Sequence, residues 1–268
     1  MTKILNGKTL ALQHEVNLIN ELKGLPAKRK PGLVSFCNID DPPSVNYTQM
    51  KARKAKEIGI KFLIANYSTY TKKQVLQRKI SRYNKNSNID GIMVQLPLPK
   101  TLRVFKDDLL ELIDTKKDVD GLTVEGRDHY LPATVKGVLA ILDEDIGDWE
   151  KKIVAVVGSK GEVGKPMVES LRKRGVKSLI EIDKDLGNIT KDLLKADIVI
   201  SSVGERDLIK VQFVKKGVIA IDVGLGDFDE GVYHKVSAYT PRIGGVGPMT
   251  VISLMENVVE SYGRKVVE

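Results

Sequence analysis

The stretch KKIVAVVGSKGEVGKPMVESLRKRG, residues 151–175, constrains the fold more than any other part of this chain. IVAVV is a short continuous apolar run, which suits a strand buried on both faces. Glycines at 158, 161 and 164 follow it, and Pro166 then falls in the first turn of a helix. A buried strand that passes through a glycine turn into a helix needs a parallel neighbour for the chain to return to, so a βαβ unit is predicted. Glycines at such a turn also let backbone approach a pyrophosphate, with N–H groups of the helix N-terminus facing it. Many strand-to-helix turns use glycine, so the turn alone does not establish a dinucleotide site.

The same alternation runs through the rest of the chain. Strand patterns at KSLIEID, DIVISSVG and GVIAIDVG, with a helix at DLLKA, complete a second set of elements after residue 150. The first half reads as a helix at LALQHEVNLINELKG, a strand at GLVSFCNI, a helix from SVNYTQMK to Gly59, a strand at KFLIANY, a helix from Thr71 and a strand at IDGIMVQLPLP. An α/β fold is therefore predicted, with two domains that each hold a mainly parallel sheet flanked by helices, the second one Rossmann-like. The charged stretch after Asp114, with one apolar-periodic helix through Val135 to Leu142, marks the junction. The domains are read as 1–135 plus a C-terminal helix at 249–268, and 136–248 between them. That last helix could pack on either domain.

Charge and cysteine content narrow the partners. A net charge of +8 favours anionic ligands, but aromatic residues make up only 5% and there is no basic tail, so a nucleic-acid surface is disfavoured. Cys37 is the single cysteine and sits inside a strand pattern, which reads as a core thiol; the three histidines share no metal-ligand spacing. No apolar run approaches the length of a bilayer span, and the N-terminus lacks an apolar signal core. A cytoplasmic protein without a membrane partner is expected.

DPPSVNYTQMK, residues 41–51, places Ser44, Tyr47 and Lys51 on one stripe of a helix. Two prolines cannot continue a preceding helix, and a serine hydroxyl can accept from an N–H two or three residues on, so Ser44 is read as the cap. Taken alone, Tyr47 and Lys51 are either a solvated surface pair or part of a site.

Three more stretches, VQLPLP at 94–99, KDVDG at 117–121 and GGVGPMT at 244–250, join this one, with NGKTLA near the start and LMENVVE near the end. Together they resemble the signatures of the methylenetetrahydrofolate dehydrogenase/cyclohydrolase family across nearly the whole chain. The resemblance implies a cleft between the two domains in which Tyr47 and Lys51 face folate. It makes Lys51 the central catalytic residue, oriented by a hydrogen bond to Gln95, and sets Asp120 on the amino edge of the pterin. Asp118 is the alternative acid in the same loop. Tyr47 lies along the aminobenzoyl group, and Gly245 and Pro248 belong to a glycine-rich loop over the nicotinamide and folate side, Pro248 marking the start of the last helix. The implied reaction is oxidation of 5,10-methylenetetrahydrofolate followed by hydrolysis to 10-formyltetrahydrofolate, by a homodimer.

The cofactor residues implied are Gly158, Ser159, Lys160, Val163, Gly164, Asp183, Lys184 and Gly245. Here the chain departs from the family pattern, Gly-Arg-Ser-x-x-Val-Gly-x-Pro. Ser159 stands at the arginine and Lys160 at the serine, while Asp183 and Lys184 replace a His-Ser pair. An acid at that strand end suits the free ribose of NAD, whereas the two lysines suit a 2′-phosphate, so NADP is expected with NAD as the alternative. An amino-acid or shikimate dehydrogenase would explain the glycine turn but would leave VQLPLP and KDVDG without a role.

Overall fold

The computed structural model describes residues 2–26, 29–183 and 189–267. Strand β1 (Lys3–Ile4) leads into helix α1 (Gly7–Gly24), and β2 (Gly32–Asn38), α2 (Pro42–Ile58), β3 (Lys61–Tyr67), α3 (Lys73–Asn84) and β4 (Gly91–Val94) follow in alternation. Two short helices, α4 (Lys100–Arg103) and α5 (Lys106–Leu110), precede α6 (Ala133–Asp145). The second series is β5 (Ile153–Val157), α7 (Gly164–Lys173), β6 (Ser178–Ile182), α8 (Ile189–Leu193), β7 (Ile198–Ser201), β8 (Ile219–Asp222), β9 (Ala238–Tyr239) and α9 (Val246–Val267).

The chain forms two compact units, one of Gln13–Ala133 with Val251–Glu268 and the other of Met1–Leu12 with Thr134–Thr250. The first holds a three-stranded sheet ordered β3-β2-β4, and the second a six-stranded sheet ordered β1-β9-β8-β7-β5-β6. Every strand pair in both sheets is parallel. All seven residues of β2 are buried, polar Ser35 and Asn38 included, as befits a central strand covered on both faces. Phe36, Ile92, Leu76 and Ile80 belong to one core, and Ala155, Val199, Ala220 and Leu193 to the other.

Two elements differ from the sequence reading. Segment 1–12, expected with the first domain, instead adds β1 to the sheet of the second unit through pairing with β9. Both strands have only two residues, too short for an apolar period to reveal them. Helix α2 is capped by Asp41, whose side chain accepts from the Ser44 N–H at 3.1 Å, and not by Ser44, which is buried within the first turn. Pro42 and Pro43 occupy the first helical positions, where missing N–H groups cost nothing, so the cap falls one residue ahead of them.

Within the first unit, α9 fixes the loop that carries KDVDG. Asn257 donates to the Val119 and Leu131 carbonyls at 2.8 and 2.9 Å, and the Ser261 hydroxyl donates to the Asp90 and Lys116 carbonyls at 2.8 and 3.1 Å. A buried charge cluster secures the same helix. Asp90 is fully buried, and its carboxylate accepts from both Arg29 Nη atoms at 2.6 and 2.7 Å, from Gly32 N at 2.9 Å and from Lys265 Nζ at 3.1 Å. Burial acts to raise the Asp90 pKa, but the Arg29 bond, the Gly32 N–H and Lys265 outweigh it and hold the carboxyl below its ordinary range. A carboxyl depressed in the folded state contributes stability that is present above its unfolded pKa and lost as pH falls through the folded one. Asp90→Asn should therefore lower the unfolding free energy at pH 7 by about 3 kcal/mol, because the Arg29 and Lys265 charges lose their partner. Denaturant unfolding measured from pH 7 downward should show the gap to the parent protein narrowing in acid.

Candidate active site

Helix α2 sets the geometry of the first candidate site. Its i, i+4 spacing puts the Lys51 ammonium 4.5 Å from the centre of the Tyr47 ring, a cation–π distance. Lys51 is only 4% exposed, and its Nζ donates to Gln95 Oε1 at 3.1 Å, with Met93 Sδ at 3.9 Å. Gln95 follows β4, and its backbone N–H bonds the Phe36 carbonyl of β2. Its side-chain Nε2 donates to the Leu96 carbonyl at 2.9 Å, which leaves Oε1 turned toward Lys51. The next peptide bond, Leu96–Pro97, is cis. Cys37 lies buried in β2 as a core thiol.

Asp120 completes the group. Burial pushes the Lys51 pKa down while the nearby Asp120 charge acts to raise it; burial in turn pushes Asp120 up while Lys51 acts to lower it. The Tyr47 phenol is pushed up to about 12, by burial and then by Asp120. Burial thus shifts the lysine and the neighbouring carboxyl each toward its neutral form. Such groups suit proton exchange closer to neutral pH than free side chains do.

The two aspartates of KDVDG are not equivalent. Asp118 is fully buried and accepts from Leu122 N at 3.2 Å, Thr123 N at 2.8 Å and Thr123 Oγ1 at 2.7 Å, in a turn where Gly121 has a φ of 62°. A Cβ on Gly126 would run into that carboxylate. Asp120 is half-buried, and no donor among the described residues bonds its carboxylate. Asp118 therefore holds the loop, while the Asp120 carboxylate keeps unused acceptor capacity. The Leu-Thr that follows Asp120-Gly121 was the available sequence signal for the closed turn.

The second candidate site lies in the other unit, at the carboxyl ends of β5 and β6. Gly158 has a φ of 82°, a backbone conformation that side chains disfavour, and its N–H and that of Ser159 bond the Ile182 carbonyl of β6. A Cβ on Gly164 would strike the Gly158 carbonyl, so glycine lets α7 start close against the strand end. Val163 directly precedes α7, and Ser159 is buried in the turn. These features fit a dinucleotide pyrophosphate: a permissive backbone, close helix packing and an acid, Asp183, at the end of the next strand. Lys160 pairs with that acid at 3.3 Å. Lys184 lies outside the described residues. Gly245 is buried beneath the turn before α9, where a Cβ would meet the Pro241 carbonyl. Pro248 sits in the first turn of α9, which begins two residues earlier, at Val246.

A parallel sheet with this glycine turn and strand-end acid defines a nicotinamide-dinucleotide-binding class of α/β unit, here joined in one chain to a unit built around a buried lysine. Comparison with known proteins identifies it further. Residues 5–120 match the model for the tetrahydrofolate dehydrogenase/cyclohydrolase catalytic domain, and residues 132–266 match that for the NAD(P)-binding domain of the same proteins. The chain belongs to the tetrahydrofolate dehydrogenase/cyclohydrolase family. It is 39% identical to the bifunctional protein FolD of Nitratiruptor sp. over 98% of this chain and 99% of that one. The bifunctional protein FolD of Lactobacillus helveticus is 38% identical, with 99% of each chain covered. The crystal structure of the bifunctional enzyme FolD from Campylobacter jejuni is similar with a TM-score of 0.92 and 32% identity, covering 99% of this chain and 100% of that one.

The unequal aspartates give a direct test. Asp118→Asn should lower the unfolding free energy by roughly 2 kcal/mol, since an amide cannot accept from all three donors, whereas Asp120→Asn should cost less than half as much. Thermal or denaturant unfolding of both variants measures this, and equal losses would contradict the division of labour.

Proposed function

We propose that this protein oxidises 5,10-methylenetetrahydrofolate to 5,10-methenyltetrahydrofolate with a nicotinamide dinucleotide and then hydrolyses that product to 10-formyltetrahydrofolate. The observation that carries this reading is the buried Lys51 amine, held by Gln95 and the Tyr47 ring next to an acid with spare acceptor capacity. Gly158, Ser159, Val163 and Gly164 would hold the cofactor backbone, and when bound its nicotinamide ring accepts the hydride that leaves the folate methylene carbon. Asp120 would accept N–H groups of the pterin edge, for which a carboxylate offers two parallel acceptors.

The hydrolytic step needs proton transfer that Lys51 is placed to perform. In its neutral form, toward which burial shifts it, the amine takes a proton from water as the oxygen bonds to the methenyl carbon. The carbon–N5 bond then breaks, N5 receives a proton from the lysine, and the hydroxyl loses its own as the formyl carbonyl forms. One proton is released overall. Gln95 keeps the amine aimed through both transfers.

For the cofactor, NADP is the preferred reading. Asp183 does not present an isolated charge to a ribose hydroxyl, because Lys160 pairs with it at 3.3 Å and brings a cation to the same strand end. The family resemblance further supports a cytoplasmic homodimer. The free edge of β3, outermost in its sheet and carrying the exposed Ile64, is a surface that suits self-association. Among the described residues no helix is long and apolar enough to cross a membrane.

Two measurements test this reading. Lys51→Met keeps the stem volume but removes the proton-carrying amine, so methenyltetrahydrofolate hydrolysis should fall below detection while folate oxidation falls less. Undiminished hydrolysis in the folded variant would remove Lys51 from the mechanism. Lys160→Ala should reduce catalytic efficiency with NADP by about tenfold, the low end for a charge-assisted bond because this lysine is exposed, and leave NAD efficiency nearly unchanged. A parent enzyme that prefers NAD, with no effect of this substitution on NADP, would assign the choice to Asp183.

A further inference from the structure

The sheet of the second unit places a buried carboxylate behind its strand ends that neither the glycine turn nor the lysine site uses. Asp227 is fully buried, and three donors converge on it. Oδ2 accepts from the Ser201 hydroxyl at 2.6 Å and from Val203 N at 2.9 Å, while Oδ1 accepts from Glu205 N at 3.0 Å. Ser201 ends β7, and Val203 and Glu205 lie in the loop that leaves it, so the three donors come from that strand end and its loop. Gly204 turns within this loop at a φ of 73°. Asp227 is itself aimed from β8: Asp222, the last residue of that strand, accepts from Gly226 N at 2.8 Å and from Asp227 N at 3.4 Å. A Cβ on Gly224 would fill the space that the Asp227 carboxylate occupies.

The position of this loop follows from strand order. β5 lies between β6 on one side and β7, then β8, on the other, so the order reverses at β5. Ligands of such sheets bind outside the carboxyl ends at that reversal. With the pyrophosphate at the Gly158–Gly164 turn and the adenosine ribose at the end of β6, the other half of a dinucleotide extends over the ends of β7 and β8. The loop shaped by Asp227 lies there.

We propose that Asp227 is a positioning residue for folate oxidation, holding loop 201–205 in the shape that seats the nicotinamide half of the cofactor. The proposal rests on the cofactor reading given above. The carboxylate is an acceptor only, with room for all three donors, and its charge suits two backbone N–H groups that cannot turn away. An amide cannot replace it. Whichever oxygen becomes NH2, a donor then faces Val203 N or Glu205 N, and one end of the turn loses its anchor. The lysine site takes none of its residues from this loop, so hydrolysis supplies an internal control.

The test is Asp227→Asn in the full-length enzyme, with folate oxidation, methenyltetrahydrofolate hydrolysis and binding of the free adenosine half of the cofactor measured side by side. Oxidation efficiency should fall about tenfold to a hundredfold, with the cofactor KM raised and kcat lowered, while hydrolysis and adenosine-half affinity stay within about twofold. Ser201→Ala removes one of the three bonds and covers the case in which the first variant does not fold. It should produce the same split at roughly threefold to tenfold. Parent-like oxidation in a folded Asp227→Asn protein, or equal losses of both activities in folded Ser201→Ala, would overturn the proposal. Absence of nicotinamide-dependent turnover in the parent enzyme would instead overturn the cofactor reading on which it rests.

Discussion

Parallel strand pairing is the constraint on which the rest of this structure depends. Parallel neighbours require a crossover between successive strands, and they gather the carboxyl ends of all strands along one edge of each sheet. The chemically distinctive residues follow those ends. Asp41 and α2 come after β2, Gln95 after β4, Gly158 after β5, Asp183 after β6, Ser201 closes β7 and Asp222 closes β8. Loops at these positions can vary without disturbing the ladders beneath them, so polar groups can be assembled there on a rigid base.

Burial of charge then divides the ionisable residues into those bonded within the fold and those with bonding capacity left over. Asp90, Asp118 and Asp227 are all fully buried, and each has at least three hydrogen-bond donors in place of its lost hydration shell. Lys51 and Asp120 are treated differently. The amine has one side-chain oxygen and a ring face, and no donor among the described residues bonds the Asp120 carboxylate. Burial pushes both away from their charged forms, as it also does the bonded Asp118, so what sets Asp120 apart is that lack of hydrogen-bond donors. Buried ionisable groups with bonding capacity left over are more typical of functional sites than of structural ones.

The cofactor unit shows the same economy of means with backbone atoms. Gly158 and Gly164 permit a turn that side chains disfavour at the first position, through its left-handed φ, and exclude at the second, through close approach to a carbonyl. Around that turn, ionic detail distinguishes this chain. Lys160 and Asp183 face each other where the family pattern has an arginine-serine loop and a His-Ser strand end, so the cation at this strand end comes from a different residue.

Local periodicity by itself determined the alternation of strands and helices, the glycine turn, the shared face of Tyr47 and Lys51 and the buried strand around Cys37, because each depends on spacing within one element. Family motifs added the identities of Gln95 and Asp120. Only the tertiary structure decided the rest. The cap at Asp41 depends on where the chain turns out of β2, and the pairing of β1 with β9 joins segments more than two hundred residues apart that have two residues each. The choice between Asp118 and Asp120 depends on which carboxylate the turn at Gly121 folds onto Leu122 and Thr123. Asp227 escaped the sequence reading because its partners come from a different strand end, 22 to 26 positions earlier in the chain. Hydrogen bonds of that kind leave no period in a sequence, since their donors are brought within reach only when the sheet has formed.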